Sequence, residues 1–98
     1  MEEIIWLKDA SNDLVEIYNY ISRDSIYYAN RTVDNIIEKI DNLIYFPYIG
    51  RKTKIYSDGE FRELIYKSYK IIYEIDGSII YIHRIWHSDR LNKNLFHK

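Results

Sequence analysis

The spacing of apolar residues changes once along this chain, near residue 50, and that switch limits the folds open to it. Before it, Leu7, Ala10, Leu14, Ile17, Tyr18 and Ile21 recur at steps of three and four, the stripe of an amphipathic helix. Asp9 or Ser11 is placed to cap its start, and the polar stretch 22–25 ends it. Ser25 then caps a second helix, whose inner face carries Ala29, Val33, Ile36, Ile37, Ile40, Leu43 and Ile44. This helix must stop before Pro47, because a proline ring removes a donor and disfavours helix in the residue before it. Two helices with a short polar break between them form an αα-hairpin.

After residue 50 the period falls to two. Segments 61–66 and 69–75 read as strands, the second rich in Tyr and Ile. Asp76-Gly77 then signals a hairpin with a type I′ turn, which needs φ > 0 at both central positions. The run 79–86 is almost wholly apolar, the pattern of a central strand buried on both faces. With a short strand at 4–7 the order is β-α-α-β-β-β. The expected class is α+β: a two-helix hairpin covers one face of a small, mainly antiparallel sheet and leaves the other partly open. The 98 residues make one domain, 1–98, with a polar tail from 88 onward that reads as a short helix.

Composition removes several function classes. A hydrophobic share of 47% excludes disorder, and only three glycines and one proline exclude collagen-like or linker-like character. With no cysteine there is no disulfide framework, thiolate zinc site or cysteine nucleophile. No apolar run approaches the roughly 20 residues of a membrane span. Met1-Glu2-Glu3 runs straight into Ile4-Ile5-Trp6-Leu7, without the basic and apolar regions of a signal peptide, so the expected compartment is the cytoplasm. Metal-ligand spacing, a glycine-rich nucleotide loop and a Ser-His-Asp pattern are all missing, so no metal or other cofactor is expected. The net charge of −1 hides a split: residues 1–50 sum to −5 and residues 51–98 to +4. A basic second half on a near-neutral chain points to a local anionic partner rather than a general nucleic-acid coat.

Strand alternation places the candidate site residues. In the last strand Ile79, Tyr81, His83, Ile85 and His87 should share one face, and Ile80, Ile82, Arg84 and Trp86 the other. Arg62, Leu64 and Tyr66 should point together, opposite Phe61, Glu63 and Ile65. Arg62 and Arg84 are thus cations inside largely apolar strands, costly unless paired or facing an open cleft. Two readings follow: ion pairs with Glu63 or Glu74, or an anion site on the uncovered face. His87 and Arg90 form a His-x-x-Arg at a strand end, with two readings for the histidine, a proton shuttle or a merely structural residue. Pro47-Tyr48-Ile49-Gly50-Arg51 is a turn that delivers a cation directly after a glycine. Eleven tyrosines invite base stacking, but Tyr18, Tyr69, Tyr73 and Tyr81 sit on periodic positions that a small core would fill anyway.

These residues in this order resemble the RelE/ParE superfamily, the toxins of type II toxin–antitoxin pairs. The likeness lies in Trp6, Ala10-x-x-Asp13-Leu14-x-x-Ile17, Pro47-x-x-Gly50-Arg51 and Arg62-Glu63-Leu64. It continues in Tyr69-x-Ile71-x-Tyr73-x-Ile75 and Ile82-x-Arg84-x-x-His87-x-x-Arg90, so that it spans residues 4–90. The resemblance implies two helices on a small sheet and a tight-binding cognate antitoxin. RelE-like members cut mRNA on the ribosome by 2′-OH attack on the adjacent phosphate; ParE-like members block DNA gyrase without chemistry of their own. For cleavage, the resemblance would assign Arg62, Arg84 and His87 as catalytic, the arginines on the phosphate and the histidine as acid or base. Arg51, Tyr69 and Arg90 would contact substrate or target.

The nuclease pattern is incomplete: the chain is not basic, the segment 45–50 holds no carboxylate, and Ser88 rather than an aromatic follows His87. The expected function is therefore ParE-like inhibition of DNA gyrase. The alternatives are a RelE-like ribosome-associated mRNA endonuclease and an inactive module that only binds antitoxin.

Overall fold

A computed structural model describes residues 1–54, 56 and 58–88. The tail beyond Ser88, including Arg90 and the helix expected there, lies outside the described residues. The elements run β1 (Glu3–Trp6), α1 (Lys8–Ser22), α2 (Ile26–Asp41), a 3₁₀ turn (Asn42–Ile44), β2 (Arg51–Lys52), β3 (Glu60–Tyr66), β4 (Tyr69–Asp76) and β5 (Ile79–His87). One sheet holds the strands in the order β1-β5-β4-β3-β2, with β1 parallel to β5 and every other pair antiparallel. The expected α+β architecture is present, with the two-residue strand β2 added at one edge.

Both helices lie on one face of the sheet. Ile17 from α1, Ile36 and Ile40 from α2, and Leu43 pack with Leu64, Ile71, Tyr73, Ile75, Ile80, Ile82 and Ile85 in a single buried cluster. Among the described residues no helix is long and apolar enough to cross a membrane.

Local chemistry sets the boundaries. Ser25 caps α2 as expected, its hydroxyl accepting from the Tyr28 N–H at 3.1 Å. The cap of α1 is neither Asp9 nor Ser11 but Leu7, and no side chain caps it. The Leu7 N–H is still paired with the Ile82 carbonyl, so the chain leaves β1 and enters the helix without an intervening loop. The β4–β5 turn also differs from expectation. Its two loop residues are Gly77 and Ser78, and only Gly77 has positive φ, the II′ rather than the I′ arrangement.

Two expectations for β5 fail. The strand lies second from an edge, and its burial alternates instead of covering both faces. Pairing slips between Ile72 and Tyr73, which face Arg84 and Ile82, so His83 is an extra residue in a β-bulge. The bulge reverses the alternation: Ile80, Ile82 and Ile85 enter the helix-side core, whereas Arg84 and Trp86 turn to the open face.

Candidate functional site

The open face is built around Ile72 of β4, fully buried although it points away from the helices and is flanked in register by Glu63 and Arg84. Arg84 donates through Nε and Nη2 to the two carboxylate oxygens of Asp13 at 2.8 and 3.0 Å. The same carboxylate accepts the Ile85 backbone N–H at 2.9 Å. β1 ends opposite Ile82, so beyond that point α1 replaces it beside β5 and Asp13 satisfies a strand donor. The fork–fork geometry raises the Arg84 pKa above its ordinary value, the Asp13 hydrogen bonds outweighing desolvation. Its guanidinium also lies 5.1 Å from the Trp86 ring.

Arg62 sits elsewhere. It registers with Tyr73 on the helix side of the sheet and points beneath the segment that follows the 3₁₀ turn. Its Nη1 donates to the Gly50 carbonyl at 2.6 Å and the Tyr48 carbonyl at 3.3 Å, and its Nε donates to Glu60 at 3.1 Å. The expected anion site shared by Arg62 and Arg84 on the uncovered face is therefore not assembled, since the two occupy opposite faces. The partners expected for them were also wrong. Glu63, buried in the sheet, pairs with Arg51 at 2.6 Å and Lys70 at 3.6 Å, and Glu74 pairs with His83.

His87 registers with Tyr69, its ring perpendicular to the tyrosine's at a centroid distance of 5.3 Å. Along β4 the partners of His87 and Arg62, Tyr69 and Tyr73, are four residues apart, about 13 Å of strand. Thus His87, Arg62 and Arg84 do not converge on one reacting atom, and Arg51 lies on the far edge strand β2.

Sequence reasoning missed three features. Asp13 carried a usable signal: a carboxylate on the buried stripe of α1, three residues after Ala10 and four before Ile17. His83 and Glu74, with Nε2 and Oε1 2.9 Å apart, meet diagonally across the β4–β5 ladder, and the rings of Phe61 and Tyr56 pack against the histidine. Burial raises the Tyr56 pKa, with Arg84 acting in the opposite direction. The third feature is the turn 45–49, where Tyr45, Phe46, Tyr48 and Ile49 are exposed and, with Pro47, line a shallow groove of about 390 Å³. Among the described residues no group of three or more His, Asp or Glu side chains is placed to hold a metal ion.

Fold and surface together define a small α+β protein whose strand arginines, Arg62 and Arg84, are bonded within the fold and whose turn 45–49 exposes apolar side chains. The family model described as ParE toxin of type II toxin-antitoxin system, parDE, matches residues 4–92, and the chain belongs to that family. Among solved structures it is similar to a chain of the chromosomal ParDE toxin–antitoxin system from P. aeruginosa, at 24% identity and a TM-score of 0.74. That match covers 89% of this chain and 96% of the other, a likeness of fold. No curated protein matches it in sequence.

Proposed function

We propose that this member of the ParE toxin family arrests growth by binding DNA gyrase in the cytoplasm, with a cognate antitoxin to restrain it and no bond-making chemistry of its own. The observation that carries the reading is the fate of the arginines. A phosphoryl-transfer site needs cations free to meet developing charge, beside a group that moves a proton. Here Arg84 is clamped by Asp13, Arg62 by backbone carbonyls and Glu60, and His87 stands at another end of the sheet. A binding toxin has no such requirement; it needs a stable surface, which Arg51 and the exposed aromatic side chains supply.

One observation favours a second reading, RNA cleavage. The Glu74 carboxylate orients His83 as an acidic group orients a general base, and the bulge sets Arg84 next to it in sequence on the same face. The experiment runs both assays on the purified chain: supercoiling by gyrase, and mRNA integrity on translating ribosomes. Inhibited supercoiling with intact message supports the proposal. Codon-phased cuts that vanish in His83→Ala or His87→Ala, with supercoiling untouched, overturn it in favour of cleavage.

A further inference from the structure

The turn 45–49 is unusual in being both apolar and rigid. Tyr45, Phe46, Tyr48 and Ile49 are 75%, 61%, 59% and 64% exposed, four large apolar side chains within five residues. Contiguous apolar surface on a small folded protein marks a contact site more often than chance exposure. Exposed loops of this kind are ordinarily mobile, but this one is tied from beneath. The buried Tyr73 hydroxyl donates to the Pro47 carbonyl at 2.8 Å and accepts the Gly50 N–H at 2.9 Å. Arg62 holds the Tyr48 and Gly50 carbonyls, and its guanidinium lies 5.1 Å from the Tyr48 ring. The Tyr45 and Phe46 N–H groups both bond the Asn42 carbonyl, and the Ile49 N–H bonds that of Phe46. A surface ordered before binding loses little conformational entropy when it docks.

Charge says what it docks against. Directly after the turn come Arg51, Lys52 and Lys54, all exposed. The carboxylate that pairs with Arg51, Glu63, is itself buried, and no ion pair among the described residues involves Lys52 or Lys54. The surface is therefore an apolar knob beside a strip of cations along the β2 edge, where Lys52 shares the helix side with Arg62 and Arg51 the open face with Glu63.

We propose that this knob and strip, Phe46, Tyr48, Ile49, Arg51, Lys52 and Lys54, are how the toxin seizes its protein target, and that the target offers an apolar pocket rimmed by carboxylates. The proposal rests on the reading above that the chain works by binding a protein. It places the target on the turn and leaves the helices and the rest of the sheet to other contacts.

The test uses the full chain in three forms: wild type, Tyr48→Ser/Ile49→Ser, and Lys52→Glu/Lys54→Glu. All four positions are exposed, so melting temperatures within a few degrees of wild type verify the fold. Each form is induced in cells lacking antitoxin, titrated against purified gyrase, and titrated by calorimetry against the cognate antitoxin. The expected result is loss of growth arrest, with an inhibitory concentration on gyrase raised about tenfold or more by the apolar pair. Charge reversal should slow association and flatten its salt dependence. Antitoxin affinity should change less than threefold. Unchanged arrest and inhibition overturn the proposal. So does a parallel loss of antitoxin binding, which would make the turn the antitoxin's seat. If wild type arrests growth yet leaves gyrase untouched, the gyrase reading falls. The growth assay then decides the turn by itself: variants that no longer arrest support it, and variants that still do overturn it.

Discussion

The shape of the turn 45–49 is set by two residues, Gly50 and Tyr73. A Cβ built on Gly50 would lie 2.6 Å from the Tyr73 hydroxyl and 2.7 Å from the Glu63 carbonyl oxygen, too close to either. Glycine is required there for close approach, because neither neighbour can withdraw without breaking β3 or the hydroxyl's own bonds. Gly50→Ala should therefore destabilise the fold by about 1–3 kcal/mol, as overpacking does, read from urea unfolding. Tyr73→Phe leaves the Pro47 carbonyl and the Gly50 N–H without their shared partner, a cost of about 1–3 kcal/mol. It should also change the pH profile. Burial raises the Tyr73 pKa above its ordinary 10.0, so the folded state keeps the phenolic proton longer than the unfolded chain does. That contribution is complete below pH 10.0 and is lost as the pH climbs through the raised value. Unfolding curves between about pH 8 and 11 should show wild type losing stability at the alkaline end and Tyr73→Phe losing less. Burial raises Tyr56 as well, so a residual slope is expected in the variant.

Among the elements, α2 places two fully buried isoleucines in the core. Ile36 and Ile40 are fully buried in the cluster with Ile71, Tyr73, Ile80 and Ile82. Ile40→Ala removes three carbons from that packing and should cost about 2–5 kcal/mol; a loss below about 0.5 kcal/mol would contradict the topology. This layer was legible from the sequence because helical and strand periods are properties of the local chain. The same holds for the Ser25 cap and for Pro47 as a limit on α2. What was not legible depends on pairing between distant residues. The bulge at His83 exists only in relation to β4, and it moved Ile85 into the core and Arg84 out of it. Asp13 and Arg84 are 71 residues apart, and neither position shows the other. β2 is two residues long, below the length at which alternation has meaning. The site suffered most, because an arginine in an apolar strand reads alike whether it awaits a phosphate or braces the fold.

At the scale of the whole molecule, the acidic first half and the basic second half meet in one sheet. The acidic half supplies β1 and the helices, and the basic half supplies the other four strands. Asp13 to Arg84 is an ion pair between the two halves. The remaining four pairs close within the sheet, and at the β2 edge Lys52 and Lys54 take part in no ion pair among the described residues. A chain so balanced has a local cationic strip rather than the broad positive field that dense phosphate would reward through counterion release. That distribution, with the dispersed arginines, favours a protein target over a nucleic-acid one. The direct measurement is supercoiling of relaxed DNA by purified gyrase titrated with the wild-type chain. Inhibition that rises with toxin concentration, saturates and is reversed by the cognate antitoxin is the predicted result. Supercoiling that continues undiminished at toxin concentrations that arrest growth would contradict it.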